Sequence, residues 1–263
     1  PDLHISLQPS DVIALRPPAS DAPEQVIEVS QRSPIEIFLS GLQSVGSWTG
    51  YLGYATAAGF IVWIGLFTNT IYLLTAAMLI APFAGPAMNA ALATSRGDAR
   101  LFGHALGRYA AGIFVTIAVS FIMSLIMRQD IATSQMVEAS YISSVAFLLP
   151  LVAGAAGALN LSQAKSSSLV SGAATGMLVA ASLAPPAGLV GMAAALGQWA
   201  MVKTGLYVLT LQIIGINISG ALVFLLFGLR PRGVRYERGK RRIGIMAWTG
   251  SAFLLCCLLA WQL

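Results

Sequence analysis

Charge is scarce in this chain: Asp, Glu, Lys and Arg make up 10% of its 263 residues, against 57% hydrophobic residues. No charged side chain occurs from Tyr51 to Ser95, from Ile142 to Gln163, from Ser166 to Val202 or from Thr204 to Leu229. That excludes an ordinary soluble domain, and each stretch exceeds the roughly 20 apolar helical residues that cross a bilayer. Cysteine is nearly absent. Cys256 and Cys257 are sequence neighbours, so no disulfide framework is possible. Histidine is limited to His4 and His104, and Asp98, Asp130, Glu138 and Glu237 fall in loops between apolar stretches. No nucleophile with its base and no metal-ligand set can be assembled, so neither an enzyme nor a metal or cofactor is expected. Carboxylate proton relays are disfavoured for the same reason. The chain begins at Pro1 without a basic n-region, and no signal peptide is expected.

What is present reads as an all-α integral membrane protein with about seven transmembrane helices, near 51–68, 71–93, 103–127, 143–161, 170–198, 204–229 and 244–262. The loop from Arg230 to Arg242 holds seven of the 15 basic residues against the single acid Glu237, and Arg96 and Arg100 flank Asp98 in a second basic loop. The positive-inside rule puts both loops in the cytoplasm, the N-terminus inside and the C-terminus outside, in a cytoplasmic (inner) membrane. Trp48, Tyr51 and Tyr54 at one face, with Tyr72, Trp199, Tyr207 and Trp261 at the other, fit interfacial aromatic belts; Trp63 is expected between helices.

The segments divide as follows. Residues 1–33 form an acidic N-terminal cytoplasmic segment with short alternating runs, Leu3–Leu7 and Gln25–Val29, that read as strands. Residues 34–50 form an interfacial linker helix, and 51–127 a first three-helix unit. A second unit covers 143–229, followed by the basic loop 230–242 and a seventh transmembrane helix within 243–263. The middle crossing of each unit contains prolines: Thr75-Ala-Ala-Met-Leu-Ile-Ala-Pro-Phe-Ala-Gly-Pro86 and Thr175-Gly-Met-Leu-Val-Ala-Ala-Ser-Leu-Ala-Pro-Pro186. Aligned without gaps at an offset of one hundred, they share Thr75/Thr175, Ala81/Ala181, Ala84/Ala184 and Pro86/Pro186. A three-crossing unit reverses its orientation when repeated, so a 3+3 inverted repeat with two proline-broken helices plus one extra helix is expected.

A helix broken inside hydrocarbon is tolerated where its freed backbone groups meet protein or a wet cavity. Half-helices starting after Pro82, Gly85 and Pro86, and after Pro185 and Pro186, would point their amide ends at mid-depth and favour an anion or an acceptor. Asn89, Ser182 and Asn217 are the side chains chosen to complete that substrate site; Asn69, Thr75, Asn160, Thr175 and Gln212 come second. Proline kinks closed by helix packing are the plain alternative. His104 and Arg108, four apart on one face, would make a cytoplasmic gate or contact lipid phosphate; interfacial anchoring is the commoner role.

Three motifs in order, Ala77-Met-Leu-Ile-Ala-Pro-Phe-Ala-Gly-Pro86 with Arg96-Gly-Asp98, Leu183-Ala-Pro-Pro186, and Asn217 to Pro231, resemble the uncharacterised hydrophobic-domain membrane proteins of bacteria and archaea. The resemblance covers roughly 34–232 and implies a multi-pass protein without naming an activity. Similar proteins tend to carry Gly where Ala76 stands and a longer soluble N-terminal region. A transporter or channel for a small polar or anionic solute is the expected function. A membrane scaffold or accessory subunit, and a sensor using the N-terminal region, are the alternatives. Membrane lipids and a second copy of the chain are the expected partners, and nucleic acid is not.

Overall fold

A computed structural model describes residues 37, 47–141, 145–162, 169–229 and 250. Eight helices and no strand occur among them: α1 Trp48–Phe67, α2 Ile71–Ile80, α3 Ala84–Arg96, α4 Ala99–Ile126, α5 Ser134–Ser140, α6 Val145–Ser162, α7 Leu169–Ala195 and α8 Trp199–Leu226. Four helices (α1, α4, α7 over Ala174–Ala195, and α8) are long and apolar enough to cross a membrane, and α2 with α3 makes a fifth, bent candidate. The helices are thus compatible with a multi-pass membrane protein. The expected strands and the basic loop lie outside the described residues, as does nearly all of the linker helix, of which Ile37 is helical and buried, and of the seventh helix, of which Gly250 is helical.

The helix ends follow from local chemistry. Ser47 caps α1 by accepting from Gly50 N–H at 3.2 Å. Between α3 and α4, Gly97 takes a left-handed φ of 70°, Asp98 N–H bonds Ala93 O at 3.0 Å and Gly97 N–H bonds Thr94 O at 3.3 Å. This is the Schellman turn, whose left-handed residue is nearly strain-free only as glycine. The Asp98 carboxylate then caps α4 through Arg100 and Leu101 N–H. Arg96-Gly97-Asp98 is therefore a stop-and-restart signal.

The layers are held by small residues and buried hydroxyls. Such contacts matter in lipid, where apolar burial between helices gains little over contact with acyl chains. A Cβ added to Gly154 of α6 would sit 2.8 Å from Ile216 Cα of α8, and one on Gly59 of α1 would sit 3.0 Å from Thr116 Cα of α4. Trp63 lies between helices as expected, donating from Nε1 to Ser124 Oγ at 3.1 Å. Two expectations need correction. Tyr51 does not join an interfacial belt: it is 4% exposed, packed inward on α4 over Gly112. The segment after α4 is not plain loop, because α5 forms there with Thr133 as N-cap and Met136 buried.

Candidate functional site

The first proline segment is broken. Ala81 ends α2 in an extended conformation (φ −60°, ψ 123°), because a following proline ring crowds the helical conformation of the residue before it. Pro82 has no N–H to continue the ladder. The chain turns through Phe83, and α3 resumes at Ala84 with the axis bent by 56°. Gly85 and Pro86, expected in the unwound stretch, are instead in the first turn of α3, where a proline's missing N–H has no intrahelical partner to lose. Ala87 N–H makes the first bond of the new helix, to Phe83 O at 3.1 Å.

The second segment is a correction. α7 runs without interruption through Pro185 and Pro186, so two broken helices do not face one another. The gapless alignment supplies the reason. Where the first segment has Pro82, the second has Ser182, which keeps its N–H and donates from Oγ to Leu178 O at 3.1 Å. Pro185 and Pro186 do deprive the carbonyls of Ala181 and Ser182 of their partners four residues on. Dense packing holds the helix regardless: Val179, Ala180, Leu183, Ala184, Ala187 and Leu189 are fully buried.

At the start of α3 lies a cavity of about 220 Å³, lined by Ala84, Gly85 and Met88, by Gly157, Asn160 and Leu161 of α6, and by Thr175, Gly176 and Val179 of α7. Of the first-choice residues, Gly85 reaches it; Asn160 and Thr175, ranked second from sequence, supply its polar side chains. Their signal was the same as for the others, an uncharged polar residue within an apolar run, and nothing in one sequence tells which of these faces which. A second cavity of about 170 Å³ lies between α4 and α8 over α3, walled by Ala87, Ala90, Phe102, Leu106, Tyr109, Ile213, Ile214, Ile216 and Asn217.

The remaining candidates are distributed through the bundle. Asn89 is 3% exposed, its Oδ1 has no hydrogen-bond partner, and it lines neither cavity. Asn217 is buried and accepts from Thr94 Oγ1 at 3.1 Å, tying α8 to α3. Pro82, Pro86, Ser182, Pro185 and Pro186 line neither cavity, and Gln212 is buried in α8. Asn69 sits in the α1–α2 turn with a φ of 55° and accepts from Gln135 N–H at 3.0 Å, fixing α5. Thr75 donates to Ile71 O in its own helix. His104 is exposed, its Nδ1 2.8 Å from Arg100 O. Arg108 stacks over the Trp48 ring at 4.9 Å from the centroid, a cation–π contact suited to an anchor at the membrane edge. Among the described residues no group of three His, Cys, Asp or Glu side chains comes together as a metal site would require.

This is a helical protein whose four or five long apolar helices are compatible with a multi-pass membrane protein, with one broken helix whose second half starts at a partly open cavity. Residues 78–218, more than half of the chain, match the family described as a domain of unknown function, DUF389. The chain belongs to that family. It is also similar to the uncharacterized protein MJ0678 of Methanocaldococcus jannaschii, 25% identical over 167 residues that cover 64% of this chain and 51% of that protein. The chain thus spans about half the length of this curated relative. No solved structure matches.

Proposed function

We propose that the protein moves a small polar or anionic solute across the cytoplasmic membrane, binding it in the cavity at the start of α3. The observation that carries this reading is a helix start opening on about 220 Å³ of space inside an apolar bundle, with Asn160 and Thr175 on the facing helices. Helix starts carry partial positive charge and first-turn amides, and no acidic side chain lines this cavity, so an anion or a hydrogen-bond acceptor is favoured there. With the N-terminus inside and the C-terminus outside, α2 enters from the outer face. Its 10 residues span about 15 Å, half of a hydrocarbon core, which puts the break at mid-depth. The site is one-sided, formed by one break and two facing helices, in place of two opposed breaks. No catalytic step belongs to it.

Proteoliposome swelling in isosmotic glycerol, chloride, nitrate or phosphate tests the reading. At least one solute should enter faster than in protein-free vesicles, and Gly85→Val and Asn160→Leu should each slow it severalfold while the protein remains folded. Wild-type rates in both variants, or no solute-specific flux, would refute the site or the activity respectively. A scaffold is the second reading, and the uninterrupted α7 favours it, since a second break would have no architectural purpose.

A further inference from the structure

The internal correspondence expected from sequence has a structural consequence that goes beyond a shared offset. α4 spans Ala99–Ile126 and α8 spans Trp199–Leu226, both 28 residues. Each is preceded by a left-handed glycine, Gly97 and Gly197, and followed by a residue of positive φ, Arg128 and Gly228. Contacts correspond as well. Gly191 of α7 meets Ser120 Cβ of α4 at 2.9 Å from its ideal Cβ, and with both numbers shifted by one hundred and the order of units exchanged, Gly220 of α8 meets Ala91 Cβ of α3 at 2.9 Å. Gly59 against Thr116 is matched by Gly154 against Ile216, Thr116 and Ile216 being one hundred residues apart and the two glycines five fewer. These pairs support an inverted repeat in which α1, α2–α3 and α4 match α6, α7 and α8.

Against that background one pair of equivalent elements differs: α2–α3 is broken and bent by 56°, whereas α7 continues as one helix through Pro185 and Pro186. The spaces beside them differ too. Met88, next to Gly157, borders the cavity at the start of α3. Its equivalent, Gly188, is packed against Val62 and Leu66 with no room for a Cβ. Two units of one architecture in different conformations are what a protein that exchanges them would present in one of its two states.

We propose that α7 bends at Pro185–Pro186 in a second state, opening beside Val62, Leu66, Thr75, Ala184 and Gly188 a site equivalent to the present cavity and facing the opposite side of the membrane. The carbonyls of Ala181 and Ser182, which lose their partners four residues on to Pro185 and Pro186, make this the point of α7 that gives first. The solute then has access to one side at a time, which makes the protein an alternating-access transporter and not an open channel. This mechanism rests on the proposed solute passage and goes further by naming the moving element.

A disulfide tests it directly. The ideal Cβ of Gly188 lies 3.5 Å from Val62 Cβ, within the range a disulfide bridges. In a background with Cys256 and Cys257 replaced by Ser, oxidised Val62→Cys/Gly188→Cys protein should lose at least tenfold in flux of the solute found by swelling, and reduction should restore it. The control is the Cys256→Ser/Cys257→Ser background without the new pair, whose flux the same oxidant should leave unchanged. Undiminished flux in the oxidised 62/188 pair, or equal loss in the control, would overturn the motion while leaving solute passage standing. Spin labels at Ala174→Cys and Ala195→Cys, both within α7, report the bend without any flux. A straight helix sets them about 32 Å apart, and a bend like that of α2–α3 adds a population on the order of 4 Å shorter. A single distance across all the solutes and lipid compositions used would also overturn it.

Discussion

Gly154 has no room for a methyl group. A Cβ there would lie 2.8 Å from Ile216 Cα, and it would also run into Ile216 O and Ser219 Oγ. Two of those three atoms are backbone, so no rotamer change relieves the overlap, and α6 and α8 must part by about 1 Å to restore ordinary contact. Such a gap forfeits a quarter to a half of the dispersion at the contact, and overpacking of this kind costs about 1–3 kcal/mol. Replacing a helical glycine by alanine returns about 1 kcal/mol of backbone propensity. Because the overlap is with backbone, the upper part of the overpacking range applies, about 2–3 kcal/mol, so Gly154→Ala should be less stable by about 1–2 kcal/mol, which lowers the apparent unfolding midpoint by about 2–8 °C for a chain of this size. The control is Gly107→Ala in α4, where an added Cβ meets nothing within 4 Å and the propensity gain stands alone. Its midpoint should rise.

The measurement is thermal unfolding of both variants in the same detergent and again in nanodiscs, followed by tryptophan fluorescence. A midpoint for Gly154→Ala at or above wild type would refute close α6–α8 approach as the basis of this layer. The effect reaches the cavity as well, because α6 carries Asn160 one and two-thirds turns beyond Gly154. The same variant should thus weaken solute-induced thermal stabilisation beyond its loss of stability.

Trp63→Phe removes the bond from Nε1 to Ser124 Oγ but leaves Ser124 donating to Gln129 Oε1 at 3.1 Å. The expected loss is about 1 kcal/mol, and a double-mutant cycle with Ser124→Ala should show that the two changes are not additive. Additive losses would mean that the two side chains do not interact. Asn217→Leu breaks the bond from Thr94 Oγ1, yet that hydroxyl still donates to Ala90 O at 2.9 Å. The variant should lose only about 0.6 kcal/mol, typical of interhelical bonds in lipid. It should also keep its solute flux, since Asn217 lines the other cavity; abolished flux in a folded variant would return Asn217 to the site. Pro186→Ala gives α7 an N–H for Ser182 O and should raise the midpoint while slowing flux, and a faster flux would count against bending at that point.

The parts of this molecule that could be read from sequence are those set by one or two neighbouring residues. Pro82 dictates the extended Ala81 and hence the break. Gly97 and Asp98 dictate the turn into α4, and long uncharged runs dictate the spanning helices. The parts that could not be read depend on what stands opposite. Pro185-Pro186 looked as disruptive as the first segment, but proline ends a helix only where the surroundings let the chain leave it, and α7 is enclosed by packed neighbours. Tyr51 had the composition of an interfacial anchor, and Gly112 on another helix drew it inward. Asn160 and Thr175 were indistinguishable from Asn89 and Asn217 because all are lone polar residues in apolar runs; only the crossing of three helices decides which share a cavity. The offset of one hundred was weak as a string match of alanines and prolines. The proposed inverted repeat is argued instead from the contacts of Gly191 with Ser120 and of Gly220 with Ala91, which four shared letters could not show.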